Sequence, residues 1–401
     1  MDEVRERFER RRRELVERRE ARLAELEVRF LNQTSHMTAP AASLETIKKA
    51  VSGLSGARRV LEKTGVSAGE LGAALGVRVG LVESVLSRAG GPPLVVVDSE
   101  DATALDPRVL EAARANAVTG FSELDWGKTL AFYRPNGLEL GECIEDLSEV
   151  IGKTAERTRG RRFPIDGVVW PKVVHEDELR FLDDLLGELE RGMEVARGTI
   201  KVEIVVEAGE AVSRLPGLVQ ACLPRLAGVI FGIADYSADV GLPAVENAHP
   251  VCDWVRAAIV NVAGGVGVPA IDAMTFEYPV RDPGLDAAGN KIKILGALRR
   301  SLEEARHGAR LGMEGKWVGH PLQLLVNEIA FDGVLLAESV ERDVAAVRAY
   351  GRAVSEGKGA AMIGGRMADR ATDRHVRRRL RKALAQGKLA LEVARELGIV
   401  E

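Results

Sequence analysis

Seven short apolar runs, separated by segments of helical character, constrain what this chain can fold into. These runs are rich in Val, Ile and Ala and show no clean alternation of polar and apolar residues. They are PLVVVDSED (93–101), TLAFYRPNG (129–137), DGVVWPKVV (166–174), IKVEIVVE (200–207), AGVIFGIAD (227–235), VPAIDAMTF (268–276) and GKWVGHPL (315–322). Such strands are buried on both faces, as in parallel sheets covered by helices. Strands that alternate with helices predict an α/β fold with a parallel sheet. The length of the repetition and the polar strand ends favour a (β/α)8 TIM barrel.

The barrel needs one more strand before residue 93, and the remaining chain divides around it. We expect this first strand at 57–63 (ARRVLEK), although the segment has weak strand character. Residues 1–31 alternate Glu and Arg and predict an exposed helix, and 32–43 (NQTSHMTAPAAS) are small and polar and indicate a linker. The predicted domains are a charged N-terminal helix and linker (1–43), the barrel with N-terminal helical additions (44–340) and a C-terminal helical lid (341–401).

Composition excludes several classes of protein. The 401 residues are 46% hydrophobic with a net charge of -4, which is ordinary for a globular domain. No apolar run approaches ~18 residues and the N-terminus is charged, so we expect no membrane span and no secretory signal. Three widely spaced cysteines, Cys143, Cys222 and Cys252, argue against disulfides or a zinc site. We expect a cytoplasmic protein.

One segment, 67–86, has the pattern of a helix–turn–helix, with a glycine turn at Gly76. Its second helix offers few polar side chains that could contact base edges, and the chain is mildly acidic. The sequence therefore does not favour nucleic acid as a partner, and we expect these helices to cover the barrel. A nucleic-acid-binding regulatory protein that uses this segment or the basic segment 375–382 is the lower-ranked alternative.

Charged side chains follow nearly every predicted strand, and in a barrel they meet at one mouth. Glu207 and Asp235 end consecutive strands, and Mg²⁺ is commonly bound by one or two carboxylates together with substrate oxygens. The alternative is that both acids cap the helices that follow. The other strand-end residues are Asp98, Glu100 and Asp101, Arg134 with Asn136, Lys172, Asp272 and His320.

The order of DSEDA, YRPNG, WPKV, VVEAGEAV, FGIADYSADVG, AIDAM and GKWVGHPLQ resembles the superfamily of citrate lyase β-subunits, malyl-CoA lyases and citramalyl-CoA lyases, over about residues 93–372. The segment EGKGAAMIGGRMADRAT (356–372) resembles the lid of its acyl-CoA branch. Three positions depart from the usual pattern: Pro135, Ala208 and Gly319 stand where the superfamily has Val, Thr and Ile. The metal and arginine positions are kept, so the resemblance still implies carbon–carbon lyase chemistry, whereas the three departures leave the acyl group and the keto acid open.

The resemblance implies reversible cleavage of a 3-hydroxyacyl-CoA thioester to an acyl-CoA and glyoxylate or pyruvate. It implies that Glu207 and Asp235 hold Mg²⁺, with Mn²⁺ as the alternative ion, and that Asp235 and Arg134 bind the substrate. Asp369 of the lid is then the acid/base. Glu100 and Asp101 orient the metal waters and Arg134, and Lys172 either supports that network or forms an interior ion pair. His320 is expected to be structural.

The resemblance also implies a homo-oligomer, a trimer or hexamer, in which the lid lies near a neighbouring subunit. Its small-molecule partners are a keto acid and an acyl-CoA. Two related activities stay open from the sequence: a malyl-CoA thioesterase and a CoA-independent keto-acid aldolase.

Overall fold

Eight parallel strands close into a barrel in which each strand pairs with the next along the chain and β8 pairs with β1. The computed structural model describes residues 2–21, 23, 26–88, 90–101, 105–363 and 366–401. The barrel strands are β1 Ser35–Pro40, β2 Leu94–Asp98, β3 Leu130–Arg134, β4 Gly167–Trp170, β5 Lys201–Val206, β6 Leu226–Phe231, β7 Ala270–Asp272 and β8 Gly315–Val318. Every residue of β2, β3, β4 and β6 is buried, which explains their unbroken apolar runs. The predicted (β/α)8 barrel is confirmed.

Helices surround the strands and cover the barrel. Those of the N-terminal part are α2 Leu44–Val51, α3 Gly53–Thr64, α4 Ala68–Leu75 and α5 Val79–Leu86, whereas the first helix, α1 Asp2–Glu20, is exposed along most of its length. Those that follow the later strands are α6 Pro107–Glu123, α7 Cys143–Arg157, α8 Glu176–Gly192, α9 Gly209–Cys222, α10 Ile233–Asp239, α11 Pro250–Val266, α12 Ala287–Leu311 and α13 Pro321–Asp332. Each later strand thus leads into a helix, as the alternation of patterns predicted.

The position of the first strand was predicted wrongly. Residues 57–63 lie inside α3, whereas β1 lies within 32–43, the segment interpreted as a linker. The sequence of β1, SHMTAP, lacks a Val/Ile run because part of its buried surface is polar. His36 forms a hydrogen bond with Glu203 at 2.9 Å inside the barrel, and Ser35 donates one to Glu328 at 2.5 Å. These partners lie far along the chain, so the local pattern cannot show that the segment is buried.

The helix–turn–helix-like segment forms two helices, α4 and α5, joined at Gly76, which has a φ of 62°. α4 packs against α12, and Lys291 forms an ion pair with Glu70 at 2.8 Å. The inner side of α5 buries Val82 and Val85. These helices therefore lie against the barrel, in agreement with the expectation that they cover it.

A second compact unit contains Leu26–Asn32 and Ala330–Glu401. It is built from α14 Ala337–Ser355, a hairpin of β9 Ala361–Ile363 and β10 Arg366–Ala368, α15 Arg370–Ala385 and α16 Leu391–Glu396. α14 packs against α15 over a core that includes Val347, Leu380 and Ala383. The unit begins before residue 341, the boundary predicted for the lid, and it includes a segment from the N-terminal region.

Among the residues that the structure describes, no helix is both long enough and apolar enough to cross a membrane.

Candidate active site

Five neighbouring strands, β2 to β6, bring charged side chains to the carboxyl end of the barrel. Asp98 and Arg134 are the last residues of β2 and β3, and they are partners in the register of the sheet. Lys172 lies two residues beyond β4, and Glu207 directly follows β5. Asp235 lies in the first turn of α10, just after β6. The parallel topology therefore assembles residues that are far apart in the chain.

Arg134 is held in a buried clamp. Its Nε and Nη2 donate to Oδ1 and Oδ2 of Asp98, both at 2.7 Å, and Nη1 lies 2.8 Å from Glu100 and 3.4 Å from Asp101. The guanidinium carbon lies 5.0 Å from the centre of the Trp317 ring, which is cation–π distance. Burial alone would lower the pKa of Arg134, but the surrounding carboxylates raise it. The clamp fixes a permanent positive charge whose planar donors suit a carboxylate or enolate oxygen.

Lys172 connects two acidic residues that come from different strands. Its backbone N–H donates to Oε1 of Glu207 at 2.6 Å, and its Nζ lies 2.5 Å from Glu100 and 3.6 Å from Asp101. The φ of Lys172 is +50°, a left-handed conformation that a non-glycine residue rarely adopts. Strained backbone of this kind persists where surrounding contacts over-determine it, and it clusters at functional sites.

Glu207 is buried and close enough to Asp235 for the two charges to interact. Burial, the charge of Asp235 and that of Glu100 raise the pKa of Glu207 from 4.5 to about 8, against the lowering effects of the Lys172 amide and Arg134. A Cβ atom at position 232 would lie 2.5 Å from Oε2 of Glu207, so Gly232 is needed for the carboxylate to take this position. Two carboxylates are therefore held together without enough local positive charge to offset them.

This arrangement fits a hard divalent cation. Glu207 and Asp235 supply oxygen ligands, the type that Mg²⁺ prefers, and a dication between them would remove their repulsion. Within the described part of the chain, no cluster of three or more ligating His, Cys, Asp or Glu side chains occurs. The remaining ligands would be substrate and water oxygens, which is how Mg²⁺ is usually bound when few carboxylates are present.

Glu100 lies between the two basic residues of the site. Burial raises its pKa from 4.5 to about 7, although Arg134 and Lys172 oppose the rise. Its Oε2 lies close to Arg134 but not at a hydrogen-bonding angle, so that oxygen has no hydrogen-bond donor among the described side chains. Asp101 is half-exposed and completes the outer side of the cluster. Six of the seven predicted site residues are thus brought together: Glu100, Asp101, Arg134, Lys172, Glu207 and Asp235.

Asp369, the seventh predicted site residue, belongs to the second compact unit. It precedes α15 as its N-cap, where its Oδ1 accepts hydrogen bonds from the backbone N–H of Thr372 at 2.9 Å and from the Thr372 hydroxyl at 3.0 Å. These hydrogen bonds lower its pKa below the ordinary value. In this conformation Asp369 is a charged cap, and its role in acid–base chemistry stays a prediction.

Two other strand-end residues do not join the cluster. Asp272 accepts from Nε of Arg256 on α11 at 2.7 Å, so it faces the helices that surround the barrel. The expectation that it lies at the mouth was wrong, because alternate residues of a strand project to opposite faces. His320 accepts from the backbone N–H of Leu322 at 3.2 Å at the start of α13, and burial lowers its pKa to about 4.

Two contributions to the site, those of Asp98 and Trp317, were not assigned from the sequence. Asp98 was noted as a strand end but given no role, although it holds Arg134; opposite charges at the ends of adjacent strands could have indicated this pair. Trp317 was read only as part of a strand. Asn136, which was noted beside Arg134 in the sequence, donates its backbone and side-chain N–H groups to Asp146 at 2.9 and 2.8 Å.

Fold and site together define a (β/α)8-barrel enzyme with a carboxylate pair beside a buried arginine. A family model described as "Domain of unknown function (DUF6986)" matches residues 150–400, and the chain belongs to that family.

Two curated relatives are similar to this chain in sequence, and one solved structure is similar to it in fold. L-malyl-CoA/beta-methylmalyl-CoA lyase of Cereibacter sphaeroides is 26% identical over 313 residues, which cover 73% of this chain and 87% of the relative. Mitochondrial citramalyl-CoA lyase of Homo sapiens is 26% identical over 286 residues, with coverage of 68% and 74%. The structure of protein CitE from Mycobacterium tuberculosis in complex with magnesium, acetoacetate and coenzyme A has a TM-score of 0.52 and 21% identity, covering 88% of this chain and 98% of that one.

The likeness to the solved structure shows the fold. The curated relatives are lyases, so the superfamily expected from the sequence and the class of carbon–carbon lyase are both confirmed.

Proposed function

We propose that this protein is a Mg²⁺-dependent lyase that reversibly cleaves a 3-hydroxyacyl-CoA, such as malyl-CoA, methylmalyl-CoA or citramalyl-CoA, to an acyl-CoA and glyoxylate or pyruvate. The observation that carries the proposal is the carboxylate pair Glu207 and Asp235 beside the clamped Arg134. The names of the curated relatives support the substrate class. The CitE structure, a complex with magnesium, acetoacetate and coenzyme A, supports the choice of ion and the coenzyme A part of the substrate.

Glu207 and Asp235 are the residues that would hold the ion. Bound Mg²⁺ would polarise the oxygen that becomes the carbonyl of the keto acid and would orient its carboxylate. The role of the chain is to keep both ligands in place: the Lys172 amide fixes one oxygen of Glu207, and the absence of a side chain at Gly232 leaves room for the other.

Arg134 would stabilise the negative charge that develops on the enolate or on the substrate carboxylate. A donor that is already fixed in place needs no reorganisation when the charge appears, which is why such groups are effective in catalysis. The bidentate contact with Asp98 occupies Nε and Nη2, whereas Nη1 lies 2.8 Å from buried Glu100 and 3.4 Å from half-exposed Asp101.

Glu100 and Asp101 are positioning residues in this proposal. Together with the Lys172 ammonium they form a charge network that holds Arg134 and the loop after β4. Burial by itself lowers the pKa of Lys172, but its hydrogen bond to Glu100 and the neighbouring acidic charges raise it overall. Lys172 therefore stays protonated and acts as a fixed cation.

Asp369 is proposed as the acid/base at the α-carbon of the acyl-CoA. No barrel strand fixes its position, and the glycines of 356–360, which precede it in the chain, supply a hinge that can absorb backbone change when a lid closes. We propose that the enzyme is a trimer or hexamer in which the lid acts near a neighbouring subunit. Mixing Asp369→Asn with Glu207→Gln protein tests this, because activity recovered in mixed oligomers requires a site built from two chains.

The test of the activity is an assay of malyl-CoA and citramalyl-CoA in which keto acid and free thiol are detected separately. A lyase releases keto acid and acyl-CoA without free thiol, and a thioesterase releases free thiol. A CoA-independent aldolase leaves the malyl-CoA or citramalyl-CoA unreacted, so that neither keto acid nor free thiol is released. Turnover that persists in EDTA, or in Glu207→Gln or Asp235→Asn, would show that the carboxylate pair is not the metal site.

A further inference from the structure

Gly319, the residue after β8, lies in contact with a tyrosine from another loop. A Cβ atom at position 319 would overlap the phenol oxygen of Tyr278 and would lie 2.8 Å from its Cζ, well inside van der Waals contact. The phenol of Tyr278 thus fills the space into which any side chain at position 319 would project. Tyr278 comes from the loop between β7 and α12, so two strand-end loops meet at this point.

Gly319 directly follows β8, and the alternation of that strand, continued by one residue, assigns the phenol oxygen to the inner side of the barrel. Residues two apart in a strand project from the same face, so Gly319 shares the face of Trp317. The Trp317 ring contacts the Arg134 guanidinium, so this face points into the barrel. The side chain of Lys316, the residue before Trp317, projects outward instead, since its Nζ lies 3.7 Å from Glu304 on α12. Tyr278 therefore occupies the layer beyond Trp317, at the mouth where the charged cluster lies.

The loop that carries Tyr278 is fixed rather than free. The side-chain amide of Gln323 accepts from the backbone N–H of Gly319 at 3.2 Å and donates to the carbonyl oxygens of Thr275 and Glu277 at 2.9 and 3.1 Å. The ring of Tyr278 also packs edge-on against His320, with centroids 6.3 Å apart. These contacts hold the phenol in one place before any ligand arrives.

The hydroxyl of Tyr278 is available to a ligand. Its partner in the described structure is the thioether of Met274 at 3.4 Å, and a thioether is a weak acceptor. Tyr278 is 38% exposed, so part of the residue can be reached from solvent. A ligand oxygen would be a much stronger acceptor than the sulfur.

We propose that Tyr278 is a specificity-determining residue that closes the β7–β8 side of the pocket for the 2-oxo acid. Its ring limits the size of the acid and its hydroxyl donates a hydrogen bond to the acid's carboxylate. The pocket therefore selects compact acids such as glyoxylate and pyruvate over branched ones. This inference rests on the proposed function, because it assumes that the acid binds at the carboxylate pair across the mouth.

The test is calorimetric binding, in the presence of Mg²⁺, of glyoxylate, pyruvate, 2-oxobutyrate and 3-methyl-2-oxobutyrate. The wild-type protein should bind the acids more weakly as they grow. Tyr278→Ala should raise the affinity for the branched acid relative to glyoxylate by about tenfold or more, the usual discrimination per methylene group in a tight pocket. Tyr278→Phe should keep the size ranking and weaken all four acids by about tenfold, because the hydrogen bond to a charged group is lost. Phe276→Ala, an exposed aromatic residue in the same loop, is the matched control and should change neither.

If Tyr278→Ala leaves the size ranking unchanged, the ring does not limit the size of the acid. If Tyr278→Phe leaves the affinities unchanged, the hydroxyl does not bind the acid's carboxylate. If the protein binds no oxo acid, both parts of the proposal are wrong. Lyase turnover is measured separately. Acids that bind with a Tyr278-dependent ranking to a protein that neither cleaves a 3-hydroxyacyl-CoA to acyl-CoA and keto acid nor catalyses the reverse condensation would refute the proposed function alone. Melting temperatures of Gly319→Ala and of Gly319→Ala with Tyr278→Ala check the contact itself. The second change should recover the stability that the first removes.

Discussion

Replacing Glu207 with glutamine tests the carboxylate pair without removing its structural contact. The glutamine carbonyl can still accept the hydrogen bond from the Lys172 amide, which lies 2.6 Å from the carboxylate oxygen. The negative charge that faces Asp235 is lost. The substitution should therefore leave the fold in place while abolishing Mg²⁺ binding and turnover.

The size of the effect follows from the pKa of Glu207, raised by burial and by Asp235 from 4.5 to about 8. Because the folded state binds this proton more tightly than the unfolded state does, the metal-free protein loses stability as pH rises between these two values. The slope is ~1.4 kcal/mol per pH unit, so the loss reaches about 3 kcal/mol at pH 7. In EDTA at pH 7, Glu207→Gln should be more stable than the wild type by up to that amount, and the gain should vanish below about pH 4.5.

The assay is urea unfolding followed by tryptophan fluorescence, since Trp170 and Trp317 are buried in the barrel. Mg²⁺ at 100 times its dissociation constant should stabilise the wild type by about 2.7 kcal/mol and the variant not at all. Glu83→Gln, an isosteric change on the exposed side of α5, is the control and should follow the wild type in both conditions. A variant that is less stable than the wild type in EDTA, or that still responds to Mg²⁺, would refute the reasoning.

Three further predictions concern the second unit, the barrel closure and the N-terminus. Asp369→Asn should lower turnover by ~10²–10⁴-fold in steady-state kinetics, with oxo-acid binding unchanged in calorimetry; wild-type turnover would remove it from the mechanism. Gly315→Ala should lower the melting temperature markedly, because its Cβ would overlap the backbone carbonyl oxygen of Gln33, just before β1. The control, Gly152→Ala in α7, should be neutral or stabilising, because a Cβ there meets nothing within 4 Å. Deleting residues 1–21 should leave turnover intact. Deleting residues 1–36 also removes the start of β1 and should yield insoluble protein in expression trials. A soluble and active protein without residues 1–36 would contradict the assignment of β1.

The later strands and most site residues could be predicted because each βα unit repeats a local pattern. Strands covered by helices on the outside and packed inside the barrel must be apolar throughout, so they are visible in sequence. Their carboxyl ends meet at one mouth in any parallel barrel, so Glu207 and Asp235 could be placed near each other before the structure was known.

The first strand and the Arg134 clamp could not be predicted with the same means, because both depend on partners far along the chain. β1 is polar where His36 meets Glu203, a hydrogen bond that spans 167 residues. Asp98 and Arg134 are 36 residues apart and become partners only through the register of β2 and β3. Strand propensity reflects such tertiary contacts more than the local backbone, so a sequence pattern under-predicts strands with polar interiors.

Lys172 shows how the site depends on the fold as a whole. The order of residues after β4 predicts only that a lysine lies near the mouth, whereas the structure gives it a left-handed backbone that costs about 1 kcal/mol or more. That conformation turns its N–H toward Glu207 while its ammonium reaches Glu100. One residue thus links an acid that follows β5 to an acid that follows β2, and the two contacts together offset the strain. The carboxylate pair and the arginine clamp are therefore coupled through β4: displacing Lys172 would disturb both, even though its side chain touches only one of them.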